Sequence, residues 1–143
     1  MTDLSRHLSL EEFTHSEKAT ELGINNALPD SLLPNATYTA CFLFEPIRSL
    51  LGVPVRVTSG YRSTNLNIAV RGVMTSQHTK AQALDMIPVG LDIQEAFKKL
   101  SEAKGLIFDQ LILEHSKSGA IWIHASIKQK DNRQQVIPYL EKP

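Results

Sequence analysis

His78, Asp85 and His124 are the residues of this sequence best suited to hold a metal ion together. His78 and Asp85 belong to Ser76-Gln77-His78-Thr79-Lys80-Ala81-Gln82-Ala83-Leu84-Asp85. His78 reads as a loop residue and Asp85 as part of the strand that follows. Alternate side chains of a strand share a face, so Ala83 and Asp85 point the same way. A small alanine beside the carboxylate leaves room for a metal or a substrate. His124 lies in Ile121-Trp122-Ile123-His124, where Trp122 and His124 share one strand face and the isoleucines the other. Two imidazoles, one carboxylate and an open fourth position suit a catalytic zinc. Such a zinc acidifies a bound water to a pKa of about 7 and polarises a carbonyl.

Hydrolysis at such a centre also needs a general base within hydrogen-bond reach of the water. Glu114, at the end of Leu111-Ile112-Leu113-Glu114, is the candidate. Directly opposed residues of an antiparallel pair share a face. Glu114 therefore joins His124 if it sits opposite Trp122, and points away if it sits opposite Ile121. His115 and Asp109 are the alternatives. Arg62 follows a strand through Ser59-Gly60-Tyr61-Arg62-Ser63, and its guanidinium fork suits a carboxylate such as a peptide C-terminus. Each residue also has a plainer reading. A lone histidine is usually satisfied in a core or exposed, and a glutamate at a strand end is usually solvated. A surface arginine usually forms an ion pair of little energetic worth. His7 and His15 are read in that plain way, and Cys41 as a small core residue.

The elements that must position these residues follow from composition and pattern. The chain has 143 residues, 42% hydrophobic and 21% charged, which excludes disorder as its default and fits one domain spanning 1–143. Fifteen basic residues balance fifteen acidic ones, so no net field favours nucleic acid or anionic lipid as a partner. A single cysteine excludes an internal disulfide and a cysteine-rich zinc site. No apolar run approaches the roughly 18 residues of a membrane span. The polar start Met1-Thr2-Asp3-Leu4-Ser5-Arg6 lacks a secretory signal, so the expectation is synthesis in a cytoplasm.

The N-terminal third reads as helical. Leu8 to Gly23 contains a short helix capped by Ser9 and Glu12, then a second turn over Glu17–Leu22. Ile24 to Pro34 reads as loop. Tyr38 to Leu51 reads as the main helix, apolar nearly all round and so buried on more than one face, with a break expected at Pro46. Strands are expected over 53–58, 81–87, 108–114 and 120–127, with a helical turn over 64–70. Asp92 to Ala103 forms the clearest helix, with Ile93, Ala96, Phe97 and Leu100 as its apolar stripe. Residues 128–143 read as a polar, then weakly apolar tail that packs as an edge or runs loose. The fold class is α+β: helices packed on a small antiparallel sheet.

In these residues the chain resembles the zinc D-Ala-D-Ala carboxypeptidases and related L-alanyl-D-glutamate endopeptidases of bacterial peptidoglycan. The family pattern is Ser-x-His-x-x-Gly-x-Ala-x-Asp with a later Trp-x-His. Here it is met by Ser76, His78, Ala83, Asp85, Trp122 and His124. Ser59-Gly60-Tyr61-Arg62 matches a further element, and Leu8-Ser9-Leu10-Glu11-Glu12-Phe13, Gly23-Ile24-Asn25-Asn26 and Phe44-Glu45-Pro46-Ile47-Arg48 resemble a compact, phage-associated branch. The resemblance runs from about Leu4 to Ile127. It implies a hedgehog-like metallopeptidase fold and one zinc ion on His78, Asp85 and His124. It also implies a substrate carboxylate on Arg62 and a positioning role for Ser76, with Glu114 as the base. The implied partner is a peptidoglycan peptide. A monomer is expected, acting at the cell wall if the protein is a phage lysin or virion component and in the cytoplasm otherwise. The chain departs from the pattern at Ala81, where the family has glycine, and at Ile121, where some relatives carry an acidic residue. A catalytically degenerate cell-wall-binding or phage structural module on the same fold is the alternative.

Overall fold

The computed structural model describes residues 2–143, so Met1 of the N-terminal reading lies outside it. Strands β1 (Asp3–Ser5) and β2 (Leu8–Ser9) form a small antiparallel hairpin, and only β2 falls within the region read as helical. Helix α1 (Leu10–Thr14) starts at Ser9, and Ser9 and Glu12 exchange the expected capping bonds. Helix α2 (Glu17–Leu22) ends at Gly23 in the left-handed conformation.

The main helix begins earlier than expected. A 3₁₀ turn at Asp30–Leu32, within the segment read as loop, leads into α3 (Leu33–Thr39), whose first two residues also fall there. A π turn at Ala40–Phe44 then joins α3 to α4 (Glu45–Leu51). The break expected at Pro46 takes this form. Proline has no N–H to donate into the preceding turn, and the widened turn absorbs the loss. Burial on several faces is not what the structure shows. Leu43, Phe44, Ile47 and Leu51 face the core, whereas Phe42 is 57% exposed. Cys41, within the π turn, is exposed too and is not a core residue.

A five-stranded sheet receives that core. Its strands are β3 (Val55–Ser59), β4 (Ala83–Pro88), β5 (Gln110–Ser116), β6 (Ile121–Ser126) and β7 (Gln135–Lys142), in the order β3-β4-β6-β5-β7. Helix α5 (Thr64–Ala69) follows β3, and α6 (Ile93–Glu102) crosses between β4 and β5. Asp92 caps α6, and Ala96, Phe97 and Leu100 bury its stripe against the sheet and α4. Leu84, Met86, Leu111, Leu113 and Ile123 project into the same core from the sheet. Truncating such a residue, Leu84 for instance, costs about 2–5 kcal/mol through lost burial and the cavity left behind.

The sheet is mixed rather than wholly antiparallel, because β7 runs parallel to β5. The tail is thus an edge strand, not a loose end. Arg133 and Gln134 dock its start: Arg133 donates to the buried Asp109, and Gln134 bridges Phe108 N and Leu106 O. Pro138 falls where the pairing with β5 slips by one residue, as suits a residue that cannot donate to the ladder. No helix among the described residues is long and apolar enough to cross a membrane.

Candidate metal centre and its cavity

The pairing of β4 with β6 sets Asp85 opposite His124, so the two share the sheet face away from α4 and α6. His78 reaches the same point from a 3₁₀ turn, Gln77–Lys80, in which its own N–H is capped by Ser76 Oγ. His78 Nε2 lies 3.2 Å from Asp85 Oδ1, and His124 Nδ1 lies 3.1 Å from the same oxygen. The donor atoms of the three residues all lie within 4.8 Å of one another.

These distances suit a metal ion. Donors placed about 2.0–2.1 Å from a tetrahedral zinc stand roughly 3.3 Å apart. His78 Nδ1 donates to the Gly60 carbonyl at 2.7 Å, and a carbonyl only accepts, so Nε2 keeps its lone pair for the metal. Gly60 has to be glycine here, because a methyl group would overlap the Phe13 carbonyl of α1. Burial pushes His78 below its ordinary pKa, towards the neutral form that ligates. Burial alone would raise the carboxyl of Asp85. The closeness of the His78 and His124 imidazoles outweighs it and holds Asp85 far below the usual carboxylate range.

Arg62 is drawn to the same carboxylate. A bulge at Thr58 makes Ser59, rather than Thr58, the partner of Asp85, and this turns Ser59 onto the site face. Arg62 Nε donates to Ser59 Oγ at 3.1 Å, while its terminal nitrogens donate to Asp85 Oδ2 at 3.2 Å and Asn67 Oδ1 at 3.4 Å. Asn26 holds the turn beneath, donating to the carbonyls of Thr14 and Tyr61 and accepting from Ser63 N. The plain reading of Arg62 as a loose surface charge does not hold, because its side chain is only 16% exposed.

Glu114 sits opposite Trp122 across β5 and β6, and so shares the face of His124. It is buried. Trp122 Nε1 donates to its Oε1 at 2.7 Å, and Lys142 Nζ lies 3.6 Å from its Oε2. The two alternatives point elsewhere. His115 falls on the opposite face, its ring 4.3 Å from that of Tyr139. Asp109 is spent on Arg133 and Lys128. Arg62, Ser76, His78, Glu114, Trp122 and His124 line one cavity of about 550 Å³. Of the histidines read plainly, His7 pairs with Glu45 at 2.7 Å and His15 is exposed.

Sequence reasoning passed over Asn26, Ser59, Asn67 and Lys142. A buried amide, Asn26 in a loop or Asn67 in α5, looks in a sequence like any polar residue, and Lys142 acquires its partner only because β7 folds back on β5.

The sharp departure from the family pattern also has a structural reading. Ala81 sits at φ 58°, in the left-handed region, and ends the His78 turn where glycine would be free of strain. Thr39 Oγ1 donates to its carbonyl at 2.8 Å and Asn35 Nδ2 to that of Lys80 at 3.0 Å, so α3 pins the turn from outside.

Comparison with known families finds that the family described as Peptidase M15 matches residues 6–126. Comparison with individually curated proteins finds no match.

Proposed function

The chain belongs to the peptidase M15 family, whose members are zinc-dependent metallopeptidases, and from that premise we propose that it hydrolyses the stem peptides of peptidoglycan as a D-Ala-D-Ala carboxypeptidase or an L-alanyl-D-glutamate endopeptidase. The observation that carries this reading is the convergence of two imidazoles and one carboxylate on a cavity that also holds an arginine and a buried glutamate.

In this reading His78, Asp85 and His124 hold one zinc ion. Zinc bound there supplies a Lewis acid and a water acidified to near neutrality. The protein's own residues do the rest. Arg62 has five N–H donors and spends three on Ser59, Asp85 and Asn67. The remainder, at the cavity wall, take the terminal carboxylate of the peptide and fix its register. Ser76 Oγ, which accepts from His78 N at 3.3 Å, keeps its own hydroxyl proton for the peptide backbone. Glu114 receives the proton of the attacking water and returns it to the leaving amine. Trp122 holds one of its oxygens and leaves the carboxylate fixed in orientation.

Zinc analysis combined with mass spectrometry of digested muropeptides tests the assignment. The expected result is one zinc per chain and release of D-alanine or of a peptide cut after L-alanine, both lost in His78→Ala. Full turnover in His78→Ala overturns the site. Stoichiometric zinc with no product from any muropeptide points to a non-catalytic wall-binding module instead.

A further inference from the structure

The chain carries no net charge, yet four cationic side chains line its cavity. Arg62, Arg71, Arg133 and Lys142 line it against a single side-chain carboxylate, Glu114. Three of these cations already have protein partners. Arg62 is held by Asp85 at 3.2 Å, Arg133 by Asp109 at 2.7 Å and Lys142 by Glu114 at 3.6 Å. Arg71 takes part in no side-chain hydrogen bond or ion pair among the described residues and is exposed at the rim.

Its backbone is as unusual as its lack of partners. Arg71 adopts φ 60°, the left-handed region that L side chains rarely occupy. The surroundings enforce this. Arg71 N donates to Ile68 O at 3.0 Å and Gly72 N to Asn67 O at 2.8 Å. The buried Asn67 amide donates to Val73 O at 2.9 Å and fills the space that a side chain at residue 72 would need. The same amide accepts from Arg62 at 3.4 Å, so one buried side chain ties the metal end of the cavity to the turn that carries Arg71. Strain that the surrounding structure over-determines tends to mark ligand clamps.

We propose that Arg71 is a specificity residue that reads a second carboxylate of the substrate, distinct from the terminal one assigned to Arg62. The substrate class is then an acidic peptide with a free side-chain or branch carboxylate away from the scissile bond. A guanidinium fork binds such a group through two parallel hydrogen bonds. The inference rests on the peptidase reading of the same cavity and adds a requirement to it.

The test uses matched peptides that differ only in whether a side chain outside the scissile pair carries a carboxylate or a carboxamide. Trp122 is the single tryptophan of the chain and lines the cavity, so its fluorescence reports occupancy without turnover. The zinc-loaded protein is expected to bind the acidic peptide about tenfold more tightly than the amide. Arg71→Ala and Arg71→Gln bring that ratio close to one and leave the affinity for the amide within about twofold. Arg71→Gly, which frees the turn from strain, loses the preference as well, so the loss tracks charge and not folding. A wild-type protein without preference, or neutral variants that keep it, overturns the assignment. Hydrolysis is read separately. Cleavage of both peptides at equal rates removes the role of Arg71 and spares the peptidase reading. Preference in binding with no cleavage removes the peptidase reading and leaves Arg71 as the reader of an acidic ligand.

Discussion

Arg62 donates to Oδ2 of Asp85 at 3.2 Å, while the other oxygen of that carboxylate faces the two imidazoles. The arginine therefore orients a metal-ligand candidate as well as facing the cavity. Outer partners of this kind commonly carry 10–100-fold in metal affinity. Arg62→Ala is expected to weaken zinc binding by about that factor, measured by competition with a chelator, in addition to lowering kcat/KM. Arg62→Lys keeps the charge but cannot reach Ser59, Asp85 and Asn67 together, and recovers little of either. Unchanged zinc affinity in both variants shows that the contact with Asp85 does not position the ligand.

Glu114 separates metal binding from proton transfer. Glu114→Gln preserves shape and can still accept from Trp122 Nε1. The zinc content is expected to stay at the wild-type level while kcat falls by about 10²–10⁴. Parallel zinc analysis and single-turnover kinetics check both halves, and turnover at the wild-type rate reassigns the base.

Ala81 tests what the strained turn costs. The left-handed conformation penalises alanine by about 1–2 kcal/mol. Glycine removes that penalty but gives up a buried methyl group, worth about 0.8 kcal/mol, and adds backbone freedom to the unfolded chain. Ala81→Gly is expected to stay within about 1 kcal/mol of the wild type. Ala81→Val adds a β-branch in fully buried space and is expected to lose about 2–4 kcal/mol. Urea unfolding followed by Trp122 fluorescence measures both, and a valine variant as stable as wild type contradicts the enforced turn.

Asp109 makes the tail pH-sensitive. Its burial raises the carboxyl, but the hydrogen bonds and charge of Arg133 prevail and lower it to about 2. The folded value lies below the unfolded one, so this stabilisation is complete above about pH 4 and is lost as pH falls through about 2. Arg133 is half exposed, and solvent screening brings the contribution to about 1–2 kcal/mol. Asp109→Asn is expected to cost that much at pH 7 and to flatten the fall in stability between pH 4 and pH 2. Thermal unfolding across that range checks it. An unaltered acid limb shows that the docking of β7 does not depend on this pair.

Local pattern was enough for much of the molecule. The cap at Ser9, the stripe of α6 and the period-two alternation that puts Trp122 and His124 together are set by neighbours within a few residues, where backbone geometry leaves few choices. The donor types were legible for the same reason, and so was the parity rule linking Glu114 to Trp122. What the local pattern did not contain was register. Asp85 meets His124 because β4 pairs with β6 at one offset, and Arg62 meets Asp85 because a single extra residue at Thr58 turns Ser59 inward. Glu114 gains Lys142 only because the tail returns as a parallel edge strand. These are non-local pairings, in which a slip of one residue would send every side chain to the other face, and only packing across the whole sheet selects among them.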